Sequence, residues 1–188
     1  MANVIKLCKG LDINLKGKAE AKVVPTDKGT EFALVPDCFV GVTPKVVVKE
    51  GDTVQAGDVL FVNKHYPSVK FSTPVSGTVK AVVRGDRRKV LAVVVTADKE
   101  QQYRDFGKKD AATLKGEQVK EALLEAGLFG YINQLPYAIS TNPETQPKAI
   151  FVSALRDMPL AGDFEFEVKG EEQAWQTGIT ALSKIAKT

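Results

Sequence analysis

The residues best suited to chemistry are few in this sequence and lie far apart. The single histidine, His65, has no second His or Cys at a spacing typical of metal ligands. The two cysteines, Cys8 and Cys38, form no Cys-x-x-Cys motif, and we interpret them as free thiols. No Ser–His or Cys–His pairing and no suggestive group of carboxylates occurs. The sequence therefore predicts neither a catalytic centre nor a protein-bound metal.

Residues 84–89, Arg-Gly-Asp-Arg-Arg-Lys, form a basic turn with four cations. Such a cluster can bind a phosphate or a lipid head group, but it is more often a solvated edge of a hairpin. Both interpretations stay open at this point. A second basic patch beside the turn in space would favour binding.

The elements that position these residues are organised around residues 46–83. Gly51-Asp52 and Gly57-Asp58 each stand between short apolar runs. The glycine supplies a positive φ, and the aspartate supplies a side chain that bonds back to the turn, so we assign both aspartates a structural role. A third turn follows at residues 73–77. Turns this close predict very short strands in a small barrel of two similar halves. This pattern resembles the biotinyl/lipoyl carrier domain.

The carrier resemblance implies a lysine at the tip of the central hairpin, where a prosthetic arm is attached. Residues 62–68 form the tip here, and Tyr66, followed by Pro67, stands where the resemblance places that lysine. Lys64 lies two residues earlier, which keeps the strand face but moves the side chain along by about 6–7 Å. We therefore predict a carrier scaffold without its attachment point. Lys64, His65 and Tyr66 form an unmodified tip, used either for docking or as a plain exposed turn.

Length and composition are those of an ordinary soluble protein. The 188 residues allow one domain or two small ones, and the 44% hydrophobic and 26% charged fractions are typical of a globular chain. No apolar run of about 18 residues occurs, so no transmembrane segment is predicted, and the N-terminus lacks a secretory signal. The net charge of +3 is mild and dispersed, which argues against a nucleic-acid partner.

We predict three parts along the chain. Residues 1–37 form an extended arm and a strand pair, residues 38–98 form the barrel, and residues 99–188 form a partial α/β domain. The paired strands of the first part are expected at residues 23–25 and 31–35, joined by a turn at 27–29. Because the sequence ends within one residue of a predicted helix, we interpret the last part as truncated at its C-terminus and the chain as the front part of a longer protein.

The last part changes its apolar period from two towards 3.6. Apolar residues at 116–126 lie on one face of a predicted helix. Gly127 follows it, at the position where a helix commonly ends in a residue with left-handed backbone. A fully buried strand of a parallel sheet is predicted at residues 148–154, and a second strand at residues 164–168. An amphipathic helix is predicted at residues 171–187. This order predicts a Rossmann-like α/β layer.

An ordered set of short motifs covers nearly the whole chain. The motifs are Lys9-Gly-Leu-Asp12, Val48-x-x-Gly-Asp-x-Val54, Gly57-Asp-Val-Leu-Phe61, Val69-Lys-Phe71, Arg84-Gly85, Gly127-Leu128, Lys148-Ala-Ile-Phe-Val152 and Pro159-Leu-Ala161. Together they resemble the family of A-type subunits of the bacterial Na⁺-translocating NADH:quinone oxidoreductases. The ordered set is far more specific than any one motif, whereas the barrel alone recurs in many proteins.

The resemblance implies a peripheral subunit on the cytoplasmic face of the bacterial inner membrane. Its complex would pass electrons from NADH through flavins and an iron–sulfur centre to quinone and export Na⁺, with membrane subunits among the partners. The family's second domain resembles the flavin-binding module of complex I, which holds a nucleotide on a glycine-rich loop. At that place only Gly130 remains among bulky side chains. We therefore predict that this chain itself binds no cofactor, neither flavin nor NADH.

An aromatic loop provides the candidate contact with a quinone ring or a membrane subunit. Phe129, Tyr131, Pro136 and Tyr137 offer flat apolar surface with polar tips, which suits a quinone near water. The alternative is that these side chains simply pack under their own domain. Two function classes follow: a docking subunit of a sodium pump, without redox chemistry of its own, and a stand-alone carrier or binding module of the lipoyl/biotinyl type.

Overall fold

The computed structural model describes residues 16–17, 19–26, 29–154, 158 and 160–186. The predicted arm lies almost wholly outside these residues, as does Cys8. The described chain forms a β-rich half up to residue 97, followed by a half with helices and one short strand pair.

The β-rich half contains two antiparallel sheets of short strands. Its strands are β1 (Glu31–Leu34), β2 (Pro44–Val46), β3 (Thr53–Val54), β4 (Val59–Asn63), β5 (Lys70–Ser72), β6 (Gly77–Arg84) and β7 (Val90–Ala97). One sheet has the order β1-β7-β6-β3, and the other has the order β2-β4-β5. Between them lies a core of fully buried side chains, in which Phe61 stacks on Phe71 with ring centroids 4.8 Å apart. Two packed sheets around one core are the architecture of the predicted small barrel.

The two Gly-Asp turns have the same construction. Gly51 has φ +91° and Gly57 has φ +101°, a region that favours glycine. Asp52 Oδ2 accepts a hydrogen bond from the backbone N–H of residue 49 at 2.7 Å, and Asp58 Oδ2 accepts one from that of residue 55 at 2.8 Å. Each aspartate therefore closes its own turn, and the structural role predicted for both is confirmed.

The predicted strand pair in the first part is wrong. Residues 23–25 are exposed and outside any strand, whereas β1 pairs with β7, from Glu31 opposite Thr96 to Leu34 opposite Val93. The reason is that β7 offers a long partner with inward-facing valines, while Pro25 lacks the N–H that a ladder requires. Strand β1 thus shares a sheet with strands beyond residue 38, and the domain limits at 37/38 and 98/99 stay predictions.

The second half begins with α1 (Gly116–Glu125), and later carries α2 (Phe164–Glu167) and α3 (Glu172–Ser183). The helices predicted at residues 116–126 and 171–187 are confirmed, with α3 shorter than expected. Helix α1 ends in a Schellman motif, because Leu128 N–H donates to Leu123 O at 2.9 Å and Gly127 N–H to Leu124 O at 3.3 Å. Gly127 has φ +75°, as its predicted position requires.

Both strands predicted in this half are wrong. Residues 148–154 form no strand, and Phe151 is 84% exposed. Residues 164–167 are the helix α2, because the Asp163 carboxylate accepts hydrogen bonds from two backbone N–H groups of its first turn and Phe164 packs edge-on against Trp175 at 4.8 Å. The strand pair that the structure describes here is the antiparallel pair β8 (Asn133–Gln134) and β9 (Ile139–Ser140).

Candidate functional site

The hairpin tip between β4 and β5 is held down at both ends. Lys64 N–H donates to Thr43 O at 2.7 Å, His65 N–H donates to the Asn63 side chain at 3.1 Å, and the N–H of residue 69 donates to Tyr66 O at 2.8 Å. The Tyr66 side chain is half-buried and packs against the core, while Lys64 and His65 are exposed. The residue at the carrier lysine position is therefore tethered to the barrel and does not project from it.

The structure separates the four residues of the predicted aromatic site. Phe129 is 5% exposed and belongs to the barrel core, so the packing alternative holds for that residue. Tyr131 is 53% exposed and meets Phe39 edge-on, with ring centroids 5.0 Å apart. Pro136 and Tyr137 lie further along the loop and are exposed, Tyr137 by 80%.

Two glycines bring this loop into contact with the barrel. A Cβ at Gly127 would lie 2.2 Å from Ser72 Oγ, and a Cβ at Gly130 would lie 2.6 Å from the Phe71 ring. Ser140 Oγ donates a hydrogen bond of 2.7 Å to Gly130 O and fixes the turn. Close approach to β5 is a sufficient reason for glycine at both positions, and it involves no nucleotide.

A cleft of about 1680 Å³ opens beside the aromatic loop. Its walls come from the start of α1, the 3-10 turn Phe129–Tyr131, the loop at residues 145–153 and the end of α3. Phe129 and Tyr131 line it, whereas Pro136 and Tyr137 do not. Four lysines also line the cleft: Lys115, Lys120, Lys148 and Lys184. The cleft thus combines an apolar aromatic wall with cations, a surface suited to a flat apolar ring or to a partner with carboxylates.

Sequence reasoning missed most of the lining residues. Ile150 and Phe151 belong to a run that predicted a buried strand, yet they line the cleft. Leu182 and Ile185, near the end of α3, also line it. The amphipathic stripe of α3 was visible in the sequence, but which surface that stripe would meet was not.

Tyr131 is the titratable group in the cleft with a shifted pKa. Partial burial raises the pKa of its phenol above the usual value of 10.0, and the neighbouring Cys38 thiol raises it further when ionised. A phenol is already protonated at neutral pH at its usual pKa, and the upward shift of the Tyr131 pKa extends the protonated range to higher pH. Tyr131 therefore presents a hydrogen-bond donor at the edge of an apolar wall.

Two absences concern the described residues only. Among them, no three His, Cys, Asp or Glu side chains come together in a way that would hold a metal ion. Within the same part of the chain, none of the helices has the length and apolar character needed to cross a bilayer.

Comparison with protein families matches the chain in two consecutive stretches. Residues 5–98 match the NqrA N-terminal barrel-sandwich hybrid domain, and residues 114–188 match the NqrA second alpha/beta domain. The match confirms the predicted fold class, a barrel-sandwich followed by an α/β domain.

Curated relatives carry the same resemblance through nearly the whole chain. A protein of Pseudomonas aeruginosa, named as the A subunit of Na(+)-translocating NADH-quinone reductase, is 34% identical over 187 residues, which cover 98% of this chain and 42% of the relative. Proteins of the same name from Yersinia pestis and Haemophilus influenzae are 33% identical over 184 residues, covering 97% of this chain and 41% of each relative. The chain thus spans about two fifths of the length of these relatives.

Proposed function

The chain belongs to the NqrA family, and from this premise we propose that it works as part of the NqrA subunit of a Na⁺-translocating NADH–quinone reductase. The observation that carries the proposal is the ordered match of both family domains, with relatives named for that enzyme 33–34% identical over nearly all of the chain. The chain acts by docking and by contact with quinone or a membrane subunit, without redox chemistry of its own. NADH, flavins, the iron–sulfur centre and quinone belong to the complex as a whole. Its place is peripheral, on the cytoplasmic face of the bacterial inner membrane, against membrane and other subunits.

The hairpin tip supports docking over carrier chemistry. A swinging arm needs a side chain that leaves the barrel, whereas Tyr66, at the expected position of the lysine, packs against the core. The alternative, a stand-alone biotinyl/lipoyl carrier, would need Lys64 to take up the prosthetic group two residues from the usual position. Intact mass after co-expression with a lipoate or biotin ligase checks this point. We expect no added mass, and an arm on Lys64 would favour the carrier.

The cleft supports a contact with quinone or with a membrane subunit. Tyr131 offers an aromatic edge and a phenol that stays protonated, and Phe129 offers apolar wall behind it. Pro136 and Tyr137 extend the exposed surface along the same loop. Replacing Tyr131 by Ala removes ring and donor together, so a photoreactive quinone analogue should label this variant less than the Tyr137→Ala variant. Equal labelling of the two would place the contact elsewhere.

Co-purification tests the NqrA assignment itself. The chain, carrying an affinity tag, is expressed in a bacterium that has a Na⁺-translocating NADH–quinone reductase, and membranes are solubilised in mild detergent. We expect the tag to retain further subunits of the reductase, together with their flavin absorbance. Recovery of the chain alone, under conditions that retain the tagged native NqrA in its complex, would contradict the proposal.

A further inference from the structure

We propose that the end of the β6–β7 hairpin, residues 83–91, binds the surface of a bilayer that contains anionic phospholipids. The inference rests on the proposed peripheral role and names the part of this chain that meets lipid. Four features of the hairpin carry it: its projection, its unpaired cations, its exposed apolar side chains and its bulge.

The hairpin end projects beyond the neighbouring strands. Strand β1 pairs with β7 from Val93 onwards, and β3 pairs with β6 at Gly77 and Thr78. Towards the tip, therefore, β6 and β7 pair only with each other among the described strands. At its base Val90 is buried in the core and Lys89 pairs with Asp37, so the part that can meet a flat surface is the exposed turn with Leu91.

The tip presents cations outwards. Arg87 and Arg88 are exposed and make no ion pair among the residues that the structure describes. Both have left-handed backbone, with φ +53° and +62°, which is unfavourable for a residue with a Cβ and is typical of functional positions. Arg84 Nη1 donates to Arg88 O at 3.2 Å and braces this conformation.

The acidic groups near the tip do not cancel its charge. Asp37 is paired with Lys89 at 2.6 Å, and Glu50 accepts a hydrogen bond from the backbone of β6 at 3.0 Å. Asp86 is the one carboxylate within the turn, against Arg87, Arg88 and the bracing arginine. The hydrogen bond leaves the charge of Glu50 in place, so three carboxylates stand against four cations. The tip therefore keeps an excess of one positive charge, which attracts anionic head groups.

Apolar side chains accompany the cations. Val83 is 41% exposed and Leu91 is 39% exposed. Leu91 is the extra residue of a β-bulge, and its side chain lies over Gly85, where an added Cβ would be only 3.1 Å from it. Cations beside exposed Val and Leu are typical of a surface that enters the head-group region, whereas a soluble polyanion would use the cations alone.

Sedimentation with vesicles tests the proposal on the purified chain. Vesicles of phosphatidylcholine containing about one third phosphatidylglycerol should bind the chain, and pure phosphatidylcholine should not. Binding should fall as salt is raised. The double variant Arg87→Gln, Arg88→Gln should reduce the partition coefficient about 25-fold, since each cation near the surface contributes roughly fivefold. Leu91→Ser should weaken binding but leave its salt dependence unchanged.

A matched control removes the same charge elsewhere. Lys108 and Lys109 are exposed and lie between the two halves, and their double replacement by Gln should leave binding within about twofold. Equal losses in the two double variants, binding to neutral vesicles, or no binding to anionic vesicles would each overturn the proposal. Tighter binding to heparin than to vesicles would also overturn it, in favour of a soluble polyanion. The vesicles contain no protein, so failure here leaves the NqrA assignment to co-purification.

Discussion

At the scale of single residues, Gly130 shows that a glycine can be required by contact and not by its own backbone. Its missing Cβ makes room for the ring of Phe71, which is completely buried and has no space to move. The sequence alone suggests that this glycine is the remnant of a nucleotide-binding loop. The prediction that the chain binds no flavin or NADH stays a prediction.

We predict that Gly130→Ala lowers the free energy of unfolding by about 1–3 kcal/mol, the usual cost of overpacking a core. Gly178→Ala is the matched control, because Gly178 lies within α3 with open space around its Cα. There the same methyl group should stabilise the helix by up to about 1 kcal/mol. Denaturant unfolding measures both. Similar effects at the two positions would refute the contact with Phe71.

The raised pKa of Tyr131 predicts how the stability of the fold changes at alkaline pH. Its pKa is raised in the folded protein by burial first and by Cys38 second, so the folded state keeps a proton that the unfolded state releases above pH 10. The contribution of Tyr131 to the free energy of unfolding is fully present below pH 10. It is lost as the pH rises through the raised pKa of the folded state. Tyr131→Phe should remove that part of the alkaline loss, as seen in thermal melts above pH 10. An unchanged alkaline profile would show that Tyr131 titrates normally.

At the scale of elements, the turn at residues 55–58 combines two interactions of Asp58. Its Oδ2 closes the turn, and its Oδ1 forms an ion pair with Arg104 at 3.1 Å. We predict that Asp58→Ala costs about 1–2 kcal/mol, because the turn loses its acceptor. Asp58→Asn keeps an acceptor and loses only an exposed ion pair, so it should cost less than about 1 kcal/mol. If both variants lose equal stability in denaturant unfolding, the ion pair is the stabilising contact.

The elements also show where period and composition mislead. Residues 148–154 are apolar enough for a buried strand, but a strand forms only where a partner edge is available, and the described residues place none beside them. Residues 164–168 contain two Phe and a Val, yet the cap provided by Asp163 and the contact of Phe164 with Trp175 favour a helical turn. Capping was readable in the sequence; the contact was not.

At the scale of the whole molecule, Phe129 links the two halves. It belongs to the helical half by position and to the barrel core by burial.

We predict that Phe129→Ala costs about 3–5 kcal/mol and separates the unfolding of the halves. Trp175 fluorescence reports α3, and the NMR methyl signals of Val93 and Val95, which are buried in the barrel, report the strands. The two signals should melt together in the native chain and apart in the variant, while Tyr137→Ala, at an exposed position, should change neither. Separate melting of the native chain would contradict the link.

Features that depend on neighbours along the chain could be predicted from the amino-acid order. These are the twin Gly-Asp turns, the short strands around them, the end of α1 at Gly127 and the family resemblance, because turns and caps are made by residues only a few positions apart. That Tyr66 stands at the expected position of the carrier lysine follows from counting along the hairpin tip, and the loss of the attachment point stays a prediction.

Which surface each segment meets became known only from the packing of the folded chain. Pairing of β1 with β7, burial of Phe129 in the barrel, exposure of Phe151 beside the cleft and projection of the basic hairpin end all depend on residues far apart in the chain. An apolar run indicates that burial is favourable, but it does not specify the partner. Packing specifies the partner, because the free energy of burial depends on area and not on sequence position.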